Sequence, residues 1–197
     1  MVAAAGVTIV PISETPWADV EQVFGTRGDP AGCWCQYFKM PGAEWRATSR
    51  EAKSARLHEQ TERGNPPPGL IAYLDGEPVG WCAVEPRTSY PRILRSRMVA
   101  LASSEPRDDQ SVWAVTCFVV RVDYRRRGVS TALIAGAVDW ARENGAKAIE
   151  GYPVDSAVRP KASSAELYHG TVGLFESAGF TAAAAPIPGR ALMRLEL

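Results

Sequence analysis

The segment at residues 122–131, VDYRRRGVST, combines the residue types that bind anions with the spacing of a strand-to-helix turn. Four arginines stand against one aspartate, Asp123, a local charge of plus three within seven residues; they are Arg121, Arg125, Arg126 and Arg127. Gly128 permits torsions that a side chain would forbid, and it leaves the first N–H groups of the following helix unpaired. Because the helix macrodipole adds partial positive charge there, the segment predicts a phosphate or pyrophosphate site.

Two well-known phosphate-binding loops do not fit these residues. A Walker-type loop ends in Gly-Lys followed by Ser or Thr, and a dinucleotide-binding fingerprint has three glycines in its own spacing. The segment holds one glycine and no lysine. The alternative, a solvated basic loop beside an ordinary turn, stays open on these residues alone.

The charge balance of the whole chain indicates that positive charge is concentrated in this segment. The 197 residues carry 22 basic and 22 acidic side chains, a formal net charge of zero, whereas nucleic-acid binders need an extended basic surface. The N-terminal stretch MVAAAGVTIVPI lacks the charge and apolar length of a signal peptide or membrane span. We therefore expect one cytoplasmic domain over residues 1–197, without nucleic-acid or membrane partners.

Hydrophobic periodicity predicts the elements of the first half of the chain. A strand over residues 7–10 precedes a helix at Trp17–Phe24, and TSREAKSARLHEQTERG predicts a second helix that ends at Gly64. In GLIAYLDGEPVGWCAVEP, two apolar runs flank Asp75-Gly76, which predicts a hairpin with a tight turn.

A βαβ unit is predicted around the arginine segment. The apolar run SVWAVTCFVV indicates a central strand, GVSTALIAGAVDWAREN a helix with one buried face, and AKAIEGYPV a further strand parallel to the first. The helical face consists of Val129, Leu133, Ile134, Ala137, Val138 and Ala141. Beyond it we expect one helix over residues 164–178 and two strands joined across PIPG, hence a single α/β domain with a mixed sheet.

The arginine segment resembles the acyl-CoA signature of the GNAT superfamily of N-acetyltransferases, [QR]-x-x-G-x-[GA]. Arg125, Gly128 and Ser130 occupy its three defined positions, and Tyr124 stands where the family has an aromatic residue. Val122 departs from a usual proline, and Ser130 departs from Gly or Ala but is small enough for close backbone approach. GLFESAGF likewise resembles the family's C-terminal LYEKLGF segment, so the resemblance covers about residues 70–197.

This resemblance implies a fold, a co-substrate and its binding residues. The fold is a mixed, mostly antiparallel sheet with a central splayed parallel βαβ unit and a C-terminal β-hairpin. The co-substrate is acetyl-CoA, with its pantetheine on the main chain of Phe118, Val119 and Val120. Its pyrophosphate is expected on the turn formed by Arg125, Arg126, Arg127, Gly128, Val129, Ser130 and Thr131. The implied activity is acetyl transfer to a primary amine of a small acceptor, and strand edges of this fold favour a homodimer.

The general acid and base are less well defined by these motifs. Many relatives hold an acidic tyrosine where this chain has Phe175, which has no proton to give. Tyr168 is the predicted acid, with His169 beside it as the alternative. Glu85 and Glu150 are candidate bases, either directly or through water, but ordinary strand-edge carboxylates would look the same.

The stretch GCWCQYF holds two of the four cysteines, Cys33 and Cys35. A Cys-x-Cys pair can ligate zinc, but the chain has only two histidines, so we expect reduced cysteines and no metal. The neighbouring Trp34, Tyr37 and Phe38 either line an acceptor pocket or pack a long loop onto the core.

Two other functions are compatible with the fold. A non-catalytic acyl-CoA-binding module is favoured by Phe175. A toxin that acetylates aminoacyl-tRNA is disfavoured by the neutral charge and the absent tyrosine.

Overall fold

The computed structural model describes residues 6–103 and 105–197, apart from the side chains of residues 102 and 184–186; the first five residues of the N-terminal stretch considered above lie outside it. Within these residues one seven-stranded sheet has the order β1-β2-β3-β4-β5-β7-β6. Its strands are β1 (Val7–Pro11), β2 (Gly69–Leu74), β3 (Glu77–Pro86), β4 (Val112–Val120), β5 (Ala148–Gly151), β6 (Thr181–Ile187) and β7 (Arg190–Glu196). Only β4 and β5 pair in parallel in this sheet, which confirms the predicted fold class.

Helices cover both faces of the sheet. In the described part of the chain they are α1 (Trp17–Phe24), α2 (Gly28–Cys33), α3 (Gly42–Ala47), α4 (Arg50–Arg63), α5 (Pro91–Leu94), α6 (Arg97–Ala102), α7 (Val129–Glu143), α8 (Ser164–Leu167) and α9 (Val172–Ser177). α7 packs on one face, while α1 and α4 pack on the other. Among these helices, none has the length and apolar character needed to cross a bilayer.

The strongly periodic segments fold as predicted. α1 spans the predicted residues, and α4 begins after Ser49, whose side chain accepts a hydrogen bond from the Ala52 N–H, and ends at Gly64. The six apolar positions predicted for α7 are all buried. The turn between β2 and β3 has positive φ at Asp75 (53°) and Gly76 (81°), as a tight hairpin turn requires.

Near its middle, β4 has a bulge in its pairing with β3 and loses its neighbour β5 on the other edge. In the pairing with β3, Val115 lies opposite Val84 and Cys117 opposite Ala83, so Thr116 is an extra residue in β4. β5 pairs with β4 only as far as Gly151, opposite Val115. From Thr116 onward, β4 therefore has no β5 neighbour along that edge.

The predicted strand AKAIEGYPV is shorter than expected. It ends at Gly151, and Pro153, which lacks an N–H, follows before Val154 makes isolated bridges to Thr171 and Arg190. The Val154 N–H donates to Gly170 O at 3.0 Å and Val154 O accepts from the Val172 N–H at 3.1 Å. The chain after α8 thus lies beside the continuation of β5.

The prediction of one helix over residues 164–178 is wrong. α8 ends at Leu167 and α9 begins at Val172, because Gly170 has a φ of +78°, which a right-handed helix cannot accommodate. A capping box at Ser163 starts α8, and the Thr171 side chain caps α9. The separating residues, 168–171, lie between β4 and Val154.

A buried ionic cluster fixes β5 in the sheet. The Glu150 carboxylate is fully buried and lies 3.2 Å from Arg87 Nη1 and 3.1 Å from Arg194 Nη1, and the Tyr152 hydroxyl donates to it at 2.9 Å. We expect Glu150→Gln to lower the free energy of unfolding by about 3 kcal/mol, because the fully buried Arg87 charge loses its counter-ion. Denaturant unfolding measures this loss.

The matched control is Glu77→Gln. Glu77 is exposed and lies 3.7 Å from Arg121 at the protein surface, so its replacement should change stability little. Equal losses in the two variants would contradict the role given to the buried cluster.

Candidate active site

The N-terminus of α7 presents unpaired main-chain donors. Gly128 is the N-cap residue in a left-handed conformation (φ +78°), and no side chain caps this helix end. The Ala132 N–H donates to Gly128 O at 3.0 Å, so the N–H groups of Val129, Ser130 and Thr131 precede the first helical hydrogen bond. These donors and the positive end of the helix dipole can hold an anion.

Two of the four arginines line a cavity at this helix end. The cavity has a volume of about 510 Å³, and we call it the arginine cavity; its walls include Phe118, Val120, Arg125, Arg126, Ser130 and Tyr168. Arg125 Nε donates to Val120 O at 3.3 Å. Arg121 and Arg127 instead place their guanidinium groups 5.0 and 5.3 Å from the Tyr124 ring centre. Arg125 and Arg126 thus bring charge into this cavity.

The free edge of β4 is partly occupied. The Phe118 N–H donates to Tyr168 O at 2.6 Å, so the segment after α8 takes the donor that the family resemblance assigns to pantetheine. Main-chain groups of alternate strand residues share an edge, so Phe118 O and the main-chain groups of Val120 face the same side. Val119 lies opposite Trp81 of β3. By the same alternation its main chain faces β3, and the pantetheine contact expected of Val119 stays a prediction.

A second cavity lies against the same strand. It has a volume of about 570 Å³, and we call it the aromatic cavity because Tyr37, Phe38 and Trp45 form one wall. The Tyr37 ring lies 5.0 Å from Phe38 and 5.5 Å from Trp45, with interplanar angles of 77° and 87°. Its lining also includes Thr116, Cys117, Val119 and His169. This cavity has the size of a small-molecule site.

Trp34 is not part of this wall. Its ring is 4% exposed and stacks between Phe24 at 4.7 Å and Trp17 at 5.8 Å, in the core under α1. Of the three aromatic residues that the sequence offers for a pocket, the structure therefore brings Tyr37 and Phe38 to the cavity and leaves Trp34 in the core.

Tyr168 lines both cavities. Its side chain packs beside Cys117 and the core under α1. Burial raises the pKa of the Tyr168 phenol, the Asp29 carboxylate raises it further, and the Arg125 guanidinium opposes them. The phenol is therefore protonated throughout the neutral range and stands where the two cavities meet.

His169 faces the aromatic cavity from the same segment. Its Nδ1 lies 2.9 Å from Thr116 O, and its ring centre lies 5.2 Å from that of Phe38. Burial lowers the pKa of His169 below its ordinary value of 6.5, and the nearby Arg190 lowers it further, whereas the hydrogen bond to Thr116 and the Glu166 carboxylate raise it. The imidazole is therefore neutral at pH 7.

The two candidate glutamates lie elsewhere. Glu150 belongs to the buried cluster with Arg87, and Glu85 pairs with Lys39. Phe175 lines neither cavity, because its fully buried ring packs against Phe118 and Phe180 at 6.0 and 5.0 Å. The contacts of Glu85, Glu150 and Phe175 therefore stabilise the fold and do not place these side chains in either cavity.

Three thiols line the aromatic cavity, namely those of Cys33, Cys35 and Cys117. Burial, followed by the neighbouring Cys35, raises the pKa of Cys33 to about 12. A hydrogen bond with Cys117, followed by burial, holds the pKa of Cys35 well above its ordinary value, and Trp81 Nε1 donates to Cys35 Sγ at 3.0 Å. In the described residues no three His, Cys, Asp or Glu side chains are grouped to hold a metal, and a metal-free protein stays a prediction.

Comparison with known families gives this geometry a context. The model of the acetyltransferase (GNAT) family matches residues 34–162, well over half of the chain. The protein belongs to the GNAT acetyltransferase family. The match spans Tyr37, β4 and the N-terminus of α7, whereas Tyr168 and His169 lie beyond its C-terminal end.

Solved GNAT structures have the same fold. A ribosomal-protein-alanine N-acetyltransferase from Brucella melitensis superposes with a TM-score of 0.57 at 14% identity, covering 96% of this chain and 99% of its own. YncA from Salmonella typhimurium, solved with its cofactor acetyl-CoA, gives 0.54 at 13% identity over 98% and 94% of the two chains. A GCN5-related N-acetyltransferase from Kribbella flavida gives 0.52 at 18% identity over 98% of each chain. No curated protein sequence matches this chain.

The GNAT fold also brings together residues that the sequence patterns did not single out. Asp29 in α2, Trp45 in α3, and Glu166 and Arg190 near the C-terminus all line the aromatic cavity. α2 and α3 span six residues each, too few for a periodic signal, and Glu166 pairs with Arg190 at 3.6 Å from another part of the chain. Only the tertiary structure shows this set.

Proposed function

We propose that this GNAT protein transfers the acetyl group of acetyl-CoA to a primary amine of a small-molecule acceptor. The observation that carries the proposal is the meeting of two cavities at Tyr168, beside the free edge of β4. One cavity offers anion donors and arginines, and the other offers an apolar wall for an acceptor.

The arginine cavity fits acetyl-CoA. The first-turn N–H groups of α7 and the side chains of Arg125 and Arg126 would hold the pyrophosphate, while Phe118 O and the main chain of Val120 would contact pantetheine. Acetyl-CoA supplies the acetyl group as a thioester. Tyr168, protonated at neutral pH, would donate its proton to the departing thiolate sulfur.

The aromatic cavity fits a compact amine. Its volume of about 570 Å³ matches a small molecule, and the Tyr37 and Trp45 rings offer an apolar surface. Asp29 places a carboxylate on its wall, close enough to raise the pKa of Tyr168. An acceptor that carries an ammonium group on an aromatic or aliphatic body complements both features.

A non-catalytic acyl-CoA-binding module is the alternative. In the sequence this alternative is favoured by Phe175, which replaces an acidic tyrosine. The Phe175 ring is part of the core, so the missing hydroxyl at this position does not argue against Tyr168 as the proton donor. The cytoplasmic location, the absence of nucleic-acid, membrane and metal partners, and the homodimer remain predictions from sequence.

Release of CoA from acetyl-CoA, measured with a panel of primary amines, tests the proposal. The panel contains 2-phenylethylamine, tryptamine, ethanolamine, spermidine and glycine, and we expect turnover above hydrolysis, fastest with the two aromatic amines. Calorimetric titration with acetyl-CoA is run in parallel. Binding without turnover for any amine would favour the binding module, and absence of binding would overturn both functions.

A further inference from the structure

The hydrogen bond of His169 fixes its tautomer. The partner of Nδ1, at 2.9 Å, is the carbonyl oxygen of Thr116, which can only accept. In the neutral ring the hydrogen is therefore on Nδ1, and Nε2 carries the lone pair. The ring lines the aromatic cavity, next in sequence to Tyr168 at the junction of the two cavities.

The bulge of β4 makes this hydrogen bond available. Thr116 is the extra residue between two ladder pairs, and β5 has ended opposite Val115, so no β5 donor competes for the Thr116 carbonyl. The tautomer of His169 is thus set by main-chain geometry and not by a neighbouring carboxylate.

Several charged and titratable groups surround the imidazole. Arg190 lowers its pKa and Glu166 raises it, but burial has the largest effect and keeps the ring neutral at pH 7. Asp29, Cys33, Cys117 and Tyr168 line the same cavity. The Cys33 thiol, with a pKa of about 12, holds its proton at neutral pH, and so does the Tyr168 phenol.

We propose that His169 is the general base of the reaction, accepting a proton from the acceptor's ammonium group at Nε2. The inference rests on the proposed function. The ammonium gives its proton to Nε2, and the neutral nitrogen forms the C–N bond as the C–S bond breaks. Tyr168 gives its proton to the thiolate. The nitrogen loses a second proton as it becomes an amide, and this proton restores the Tyr168 hydroxyl. The proton held by His169 leaves to solvent.

His169→Asn separates this role from a structural one. The asparagine amide can still donate to Thr116 O, but it accepts no proton at neutral pH. With the fastest amine of the panel, we expect kcat/KM at pH 7 to fall about 100-fold and the Kd for acetyl-CoA to stay unchanged. The matched control is His58→Asn, at the chain's other histidine, which stacks on Trp17 at 4.2 Å and is expected to keep full activity.

The pH profile gives a second readout. A base must be deprotonated, so kcat/KM of the wild type should rise as pH increases through the His169 pKa, below 6.5, and then level off. In His169→Asn the rise should instead continue, tenfold for each pH unit, toward the pKa of the acceptor amine.

A weakly basic acceptor gives the third readout. O-Benzylhydroxylamine has the shape of 2-phenylethylamine but is already neutral at pH 7. With this acceptor, the decrease in kcat/KM caused by His169→Asn should be less than tenfold. An equal defect with both acceptors, or no defect with either, would overturn the assignment of His169 as base. A wild type that turns over no amine would instead overturn the proposed function on which the assignment rests.

Discussion

Gly128→Asp is expected to weaken acetyl-CoA binding by roughly a factor of 100 or more, which corresponds to about 3 kcal/mol. The substitution adds a carboxylate at the N-cap of α7, where the pyrophosphate is proposed to sit. Two anionic groups, the carboxylate and the pyrophosphate, then compete for the same unpaired N–H groups, and the Cβ blocks close backbone approach. Calorimetric titration of the variant with acetyl-CoA measures the loss.

Gly145→Asp is the matched control. Gly145 follows the other end of α7, has a nearly identical φ of +79°, and a Cβ there meets no atom within 4 Å. Both variants place aspartate in the left-handed region, which Asp tolerates better than most residues, so both should fold. Equal affinities in the two folded variants would contradict the pyrophosphate site.

Tyr168→Phe is expected to lower kcat about 100-fold and to leave the KM for acetyl-CoA unchanged. The substitution removes only the phenol hydroxyl, which makes no hydrogen bond to the described residues, and keeps the main-chain carbonyl that binds the Phe118 N–H. The thiolate would then take its proton from water. Steady-state kinetics with the fastest amine of the panel measures the change.

A second tyrosine provides the control for this experiment. Tyr73 lies on β2, and its hydroxyl donates to Asp19 at 2.7 Å, away from both cavities, so Tyr73→Phe should keep its kcat. If Tyr168→Phe keeps full turnover, the proton donor is water or another group. If Tyr168→Phe raises only KM, the phenol binds a substrate and transfers no proton.

Local signals explain which parts of the fold the sequence predicted correctly. The buried face of α7 repeats over fifteen residues, and the Asp75-Gly76 turn depends on two adjacent residues. The anion donors at Gly128 follow from one strand-to-helix junction. Each of these features is determined within a short window, where periodicity and turn chemistry act without help from distant residues.

The features that were predicted wrongly or not predicted at all depend on distant contacts. The break between α8 and α9 occurs at Gly170 and accompanies the bridge between Val154 and Thr171, a contact that the apolar pattern of residues 164–178 does not show. Trp34 is in the core because Trp17 and Phe24 stack on it from another helix. The bulge that orients His169 is a register shift between β3 and β4, which neither strand encodes alone.

The central claim is that the thioester lies where the two cavities meet, and a crystal structure with CoA tests it most directly. We expect the CoA sulfur within about 3.5 Å of the Tyr168 hydroxyl and the pyrophosphate against the N–H groups of Val129, Ser130 and Thr131. A sulfur far from Tyr168, or a pyrophosphate bound away from the N-terminus of α7, would contradict this account.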